Sequence, residues 1–164
     1  MCSLASVAVP HIVGTVTLLS FLFLIGTFFQ NVYTNVQTDV VAFKLKETAN
    51  RVSSTIVDLV SLCFLSDVDQ NLTKIVEVPS NIYDKMYTLE IYSYSDVVMG
   101  ENIYVVRAYL TLYPSTYGLS ELPWTADSFL NVDAAALSIP VGTGNIVIHC
   151  QKIGDTITIG LISG

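Results

Sequence analysis

Residues 1 to 38 contain no Asp, Glu, Lys or Arg, and all 21 acidic and basic residues lie from Asp39 onward. Within that uncharged stretch, Ile12 to Phe29 is 18 residues long and is interrupted only by Gly14, Thr15, Thr17, Ser20, Gly26 and Thr27, all of which lipid tolerates. Extended back to Leu4 it covers 26 residues, roughly 39 Å as a helix, which is enough to span a bilayer. A segment of this kind has to be covered by hydrocarbon, either lipid or other apolar helices. A secretory signal peptide is a poorer fit, because Met1 to Val9 carries no positive charge and "GTFFQNVY" has no small-residue exit of the A-x-A type.

The rest of the composition agrees. In a chain of 164 residues, long enough for one modest domain, 52% are hydrophobic and only 13% charged, against a typical ~25%. The mean hydropathy of +0.59 is high for a soluble protein, so a membrane or an assembly is expected to take up part of the surface. A net charge of −7 and a pI near 4.5 offer nothing for a phosphate backbone to grip, and no basic stripe with interleaved aromatics occurs. Nucleic acid is therefore excluded as a partner.

The segment after the apolar run is amphipathic. Val41, Leu45, Val52, Ile56, Leu59 and Cys63 recur at helical spacing, with small Thr48 in the gap, while Lys44, Lys46, Glu47, Asn50 and Arg51 fall mainly off that stripe. No Gly or Pro separates the two patterns. One continuous helix from about Pro10 to Cys63, roughly 80 Å long, is the economical reading. The alternative is a membrane helix, a hinge near Gln30 to Asn35, and a separate surface helix. Pro10 starts or kinks the helix, and Ser6, Pro10 and Gly14 form a smooth ridge where another helix could approach.

Beyond Cys63 the chain changes character. "SDVDQN", Ser66 to Asn71, is a polar turn cluster, and the residues after it are rich in Val, Ile, Thr and Tyr with period-two alternation. The expected strands are Lys74 to Val78, Tyr87 to Tyr94, Ile103 to Tyr113, Ala136 to Val141, Asn145 to Gln151 and Thr156 to Ile162. The last two form the clearest hairpin, with "KIGDT" supplying a Gly-Asp turn, Ile146, Ile148 and Cys150 on one face, and Ile157, Ile159 and Leu161 on one face of the partner. "SDVVMGEN" plays the same part between the second and third strands. Pro114 to Asp133, with the only Trp, reads as a long loop, either functional or an interaction surface. The expected class is α+β: residues 1–34 an apolar transmembrane or filament-core helix, 35–65 its amphipathic continuation, and 66–164 an antiparallel β-sheet or sandwich domain on which the helix packs.

This organisation, carried by "SVAVPHIVGTVTLLSFLFLIGTFF", the uninterrupted amphipathic continuation to Cys63 and the β domain that begins near "KIVEVPSNIYDKMYTLEIY", resembles the archaeal type IV pilin-like superfamily of adhesion pilins, archaellins and membrane-anchored accessory proteins. The resemblance implies a helical homo-oligomer in which the apolar helices bundle as the filament core, through Ile12, Val16, Leu19, Leu22, Phe23, Ile25, Phe28 and Phe29, and the β domains form the outer face. It also implies residence in the membrane before assembly and an assembly machinery with a platform protein and an ATPase. Precursors in this family carry a short basic leader ending in a basic residue and Gly, which "MCSLASVAV" does not match. A leader outside this numbering favours a filament subunit. An unprocessed chain favours a membrane-anchored, stator-like accessory protein of the archaellum or a related secretion system, whose β domain grips a surface-layer protein.

On topology, Lys44, Lys46 and Arg51 point to the cytoplasm by the positive-inside rule. A domain rich in Tyr, Thr and Ser with an Asn71-Leu72-Thr73 acceptor triplet points outward, and the outward reading is preferred, with Asn71 as a glycan site. Cys63 ends the helical stripe on its apolar side, and Cys150 lies in a strand expected to cover that helix. A disulfide between them would close an 88-residue loop, worth ~4 kcal/mol in the chain-entropy model. Two buried free thiols are the alternative.

Motifs that carry chemistry are scarce. His11 and His149 form no pair with metal-ligand spacing, and there is no G-x-S-x-G, Gly-rich phosphate loop or C-x-x-C. Asp67 and Asp69 lack the downstream acid of a calcium loop and read as a solvated turn. The tyrosines at 87, 92, 94, 104, 109 and 113 alternate in strands, either as ordinary sheet packing or as an exposed row for subunit contacts. No catalysis and no cofactor are expected. The functional readings are a filament subunit, a membrane-anchored binding module, or a single-span receptor whose pocket would sit near Trp124.

Overall fold

The computed structural model describes residues 3–95, 102–125, 130–133, 138–142 and 144–163. Its first element, α1, is a single helix of 63 residues, Ser3–Leu65, with Pro10 inside it. No hinge interrupts Gln30 to Asn35. The physical reason is the absence of any Gly or Pro between Gly26 and Leu65, so the i to i−4 ladder meets no residue that breaks it. Two compact units divide the chain, Met1–Asp39 and Val40–Gly164. Their boundary falls within α1 beside Asp39, the first charged residue.

The described residues of the first unit are helix alone. In the second, the end of α1 is followed, among the described residues, by eight strands: β1 Gln70–Glu77, β2 Tyr87–Ser95, β3 Asn102–Leu110, β4 Tyr113–Thr125, β5 Leu130–Val132, β6 Ser138–Val141, β7 Asn145–Ile153 and β8 Thr156–Ser163. They form two four-stranded sheets, ordered β1-β7-β8-β5 and β4-β3-β2-β6. Every pairing is antiparallel except β5 with β8, which is parallel. The class is α+β.

The β7–β8 hairpin pairs Ile153 with Thr156 around Gly154-Asp155. Gly154 has φ +58°, which suits the first central position of a type II′ turn and matches the twist of the flanking strands. Between β2 and β3 the pairing reaches Ser95 with Asn102, and the "SDVVMGEN" turn itself lies outside the described residues, as do Ala136 and Leu137 at the start of the fourth expected strand.

One buried cluster draws on α1 and on both sheets. From the helix come Val41, Leu45, Ala49, Val52, Ile56, Leu59, Val60 and Cys63, at the three- and four-residue spacing of a single face, with Thr48 buried in the gap. Thr48 tolerates burial because its hydroxyl donates to the Lys44 carbonyl, 2.9 Å away. Tyr87, Leu89 and Ile91 enter from β2, Ile146, Ile148 and Cys150 from β7, and Ile157, Ile159 and Leu161 from β8. Burying each such Leu or Ile contributes about 1.5–3 kcal/mol. Polar ties mark the helix edges: Arg51 Nη1 donates to the Glu77 carbonyl on β1 at 3.1 Å, and Ser53 Oγ to the Glu121 carbonyl on β4 at 3.4 Å.

The segment Pro114 to Asp133 is not a loop. Tyr113–Thr125 is the longest strand among the described residues, and Leu130–Val132 is a short one; residues 126–129 lie outside the described set. The residues that suggested a loop are those an edge strand uses. β4 is an edge of its sheet, where Pro114 and Pro123 leave no interior ladder without a donor. At Gly118 an added Cβ would overlap the backbone of Leu45 and Lys46, so glycine lets this strand lie directly on the helix. β1 likewise starts four residues before the expected Lys74, because Asp69 Oδ1 accepts a hydrogen bond from Gly154 N at 2.8 Å and joins the start of β1 to the β7–β8 turn. Asp67 and Asp69 are both exposed, as expected of a solvated turn, and Asp69 has this structural partner as well.

Candidate assembly surface

From Ile12 to Phe29 the large apolar side chains of α1 project outward, and none of the described residues covers them. Ile12, Val16, Leu19, Leu22, Phe23, Ile25, Phe28 and Phe29 are all exposed, from 36% at Ile25 to 73% at Phe23. Leu18, Leu19, Phe21, Leu22, Phe23, Leu24 and Ile25 come almost without break, and at 100° per residue they clothe every side of the helix. Phe28 and Phe29 meet edge to face at 5.9 Å. The helix is long and apolar enough to cross a membrane, its most hydrophobic window having a mean hydropathy of 2.2 and no burial.

Between Ile12 and Phe29 its polar side chains are satisfied internally. The hydroxyls of Thr15, Thr17, Ser20 and Thr27 donate to the carbonyls of His11, Val13, Val16 and Leu24 at 2.8 to 2.9 Å. Thr34 and Thr38 do the same toward Gln30 and Thr34. Hydroxyls bonded back to their own helix need no water, the condition a hydrocarbon environment imposes. The arrangement presents an apolar surface of the kind that lipid or other apolar helices can cover.

The second unit carries one polar feature that the sequence pattern does not reveal. On the outer face of the β4-β3-β2-β6 sheet, the Arg107 guanidinium lies 4.8 Å from the Tyr109 ring and 4.9 Å from the Tyr117 ring. It donates to Glu90 Oε1 at 3.2 Å and to the Pro114 carbonyl at 2.8 Å. A groove of about 430 Å³ runs beside it, lined by Tyr92, Val105, Arg107, Tyr117, Leu119 and Glu121. Two rings and two acceptors hold Arg107 in place, and this bracket closes the sheet face across three strands. Only the cross-strand register reveals it, since Glu90 pairs with Arg107 and Arg107 with Leu119.

The remaining expected residues are spread over the second unit. Asn71 and Thr73 are exposed on β1, an edge strand. Tyr87 and Tyr104 are buried, with Tyr87 Oη donating to the Pro79 carbonyl at 2.6 Å, and burial pushes the Tyr87 phenol up. Tyr92 and Tyr109 are half-buried and Tyr113 is exposed, so the tyrosines divide between packing and surface. Trp124 packs against the core and lines no part of the groove. Cys63 and Cys150 are both buried and free. His149, on the face of β7 opposite Cys150, has Nε2 3.8 Å from Asp133 Oδ2. Among the described residues no three His, Cys, Asp or Glu side chains come together as metal ligands.

Compared with protein-family models, curated proteins and solved structures, the chain finds no match. Its own geometry carries the functional reading.

Proposed function

We propose that this chain is the structural subunit of an extracellular filament of the archaeal type IV pilus class, polymerising through its apolar helix with the β domain outward. The observation that carries this reading is the all-round apolar face of Ile12 to Phe29 on a helix whose continuation is built into the core of a β domain. A helix apolar on one side would need only one neighbour. One apolar on every side needs a full ring, which lipid supplies before assembly and a bundle of identical helices supplies in a fibre.

The work done is polymerisation, without catalysis or cofactor. Lipid is as apolar as the helices, so leaving it gains nothing from burial. Extraction falls to a membrane platform and an ATPase, and helix packing with contacts between β domains holds the product. A stator-like accessory protein that stays in the bilayer and grips a surface-layer protein makes use of the same helix.

Imaging and mass spectrometry of the shed extracellular fraction separate the two. Fibres containing this chain support the filament. Finding the chain only in membranes sinks it and leaves the accessory protein.

A further inference from the structure

Cys63, in the last turns of α1, and Cys150, in β7, face each other inside the core of the second unit. They stand 87 residues apart in sequence, their Sγ atoms are 2.9 Å apart, and neither is exposed to solvent. Cys63 Sγ also approaches the Cys150 carbonyl at 3.8 Å. β7 is an interior strand, bonded to β1 through Leu72 opposite Cys150 and to β8 through Ile159 opposite it. The position of Cys150 is therefore held from both sides, and that of Cys63 by the helix.

Three roles are open to such a pair. A zinc site needs about four ligands, and no third His, Cys, Asp or Glu joins these two among the described residues. A catalytic or sensing pair needs a partly exposed thiolate with a nearby cation or base; here both sulfurs are enclosed, His149 projects from the other face of β7, and burial pushes the Cys150 thiol up. A structural cross-link needs only two facing sulfurs that can close to a bond length of about 2.05 Å.

We propose that Cys63 and Cys150 form a structural disulfide that fastens the end of α1 to the central strand of its sheet. The oxidant is a disulfide, either a small molecule or a thiol–disulfide exchange protein. One cysteine thiolate attacks it, forming a mixed disulfide and releasing one of its sulfurs as a thiolate. The second cysteine thiolate then attacks the first cysteine's sulfur and releases the other. The chain gains one S–S bond and gives up two protons and two electrons; the oxidant's S–S bond breaks and it leaves as two thiols. The exchange takes place before β7 closes over the helix, while both thiols can reach solvent and ionise. Burial afterwards shields the bond from reductants.

The test uses the full chain from its own cells, lysed in denaturant with an alkylating reagent so that the thiol state is trapped. Peptide mapping without reductant is expected to show the Cys63 and Cys150 peptides joined and unalkylated, separating once reductant is added. Both cysteines alkylated without reductant, or either one joined to Cys2, overturns the proposal. Thermal unfolding of the purified chain gives the second readout. Unfolding the chain in denaturant with reductant and refolding it reduced is expected to lower Tm by on the order of 10 °C, and a Cys63→Ala, Cys150→Ala variant is expected to be indifferent to that treatment. An unchanged Tm on reduction of the natural chain overturns the structural role.

Discussion

The two halves of α1 are made of the same kinds of residue and meet opposite fates. Ile12 to Phe29 carries apolar side chains on all sides, and all the large ones are exposed; Val41 to Cys63 gathers most of its own on one face, and that face is buried, with Phe43 and Leu62 left exposed off it. What separates them is where charge is allowed. Before Asp39 there is none, and after it Lys44, Lys46, Glu47 and Arg51 keep three sides of the helix wet. The second half is a component of a folded domain, complete within its own chain. The first half is unfinished until something outside the chain covers it. The proposed function rests on the unfinished half, and the stability of the β domain on the other.

The sharpest way to break that comparison is to place the same charge in each half. Ile56 has no solvent exposure, and Ile56→Asp buries a carboxylate among Leu, Val and Ile side chains, costing upward of about 3 kcal/mol. The β domain is expected to unfold, read as loss of the cooperative thermal transition. Leu22→Asp, in contrast, is expected to leave that transition in place and abolish fibres, because an Asp at the centre of an apolar span costs roughly 2.5–3.5 kcal/mol. Normal fibres carrying Leu22→Asp would contradict a helix-bundle core, and a lost transition would show that the two halves are not separable.

The next largest effect belongs to Gly118. An alanine there would drive its Cβ into the Leu45 and Lys46 backbone, and the edge strand has to lift from the helix, at about 1–3 kcal/mol. Gly26→Ala meets nothing within 4 Å, and the β-domain transition is expected to stay where it is. Thermal unfolding of the two variants checks the contrast. Equal shifts would mean that β4 does not rest on the helix as described.

Gly118 also shows where the sequence was legible and where it was not. The helix stripe could be read because its pattern is local: each residue's fate depends on neighbours three and four positions away. The β7–β8 hairpin was readable for the same reason, its turn and both strands being contiguous. β4 was misread because Pro114, Gly118 and Pro123 carry their meaning only beside a helix more than sixty residues earlier and at the edge of a sheet. The parallel pairing of β5 with β8 joins Leu130 to Ile157 and has no local signature. The Arg107 bracket needed the register of three strands. For the apolar surface, composition sufficed, since a candidate site made of hydrocarbon is visible in any stretch that lacks charge.

A smaller effect is expected at Arg107. Arg107→Met removes the partner of Glu90, whose carboxylate is then left half-buried without its arginine, and takes the cation from the Tyr109 and Tyr117 rings, which stay opposite each other in the β3–β4 register. The pair keeps about a quarter of its side-chain surface in solvent, so screening limits the cost to about 1–2 kcal/mol. Arg107→Lys is expected to recover only part of it, because an ammonium cannot bridge both acceptors and stack between two rings. Urea unfolding of the three forms reads the order, and a lysine variant as stable as the natural chain would refute the bracket.

The smallest effect lies at the junction of the two halves, where Lys44 Nζ meets Glu47 Oε2 at 2.8 Å. The lysine's hydrogen bond and charge hold the Glu47 carboxyl below its usual range, and the carboxylate in turn raises Lys44. A lowered folded-state pKa contributes stability that is present above the unfolded value and is lost as pH falls through the folded one, so any contribution disappears below the ordinary carboxylate range. A raised lysine contributes below its unfolded pKa and loses that contribution on the alkaline side. Both groups are solvent-exposed, so water and salt screen the pair almost fully. Glu47→Gln is therefore expected to leave the thermal transition of the β domain unmoved at neutral pH. Ile56→Asp and Glu47→Gln each change one charge on the same helix, the first on its buried side and the second on its exposed side, and a measurable shift from Glu47→Gln would mean that the outer face of the second half is covered after all.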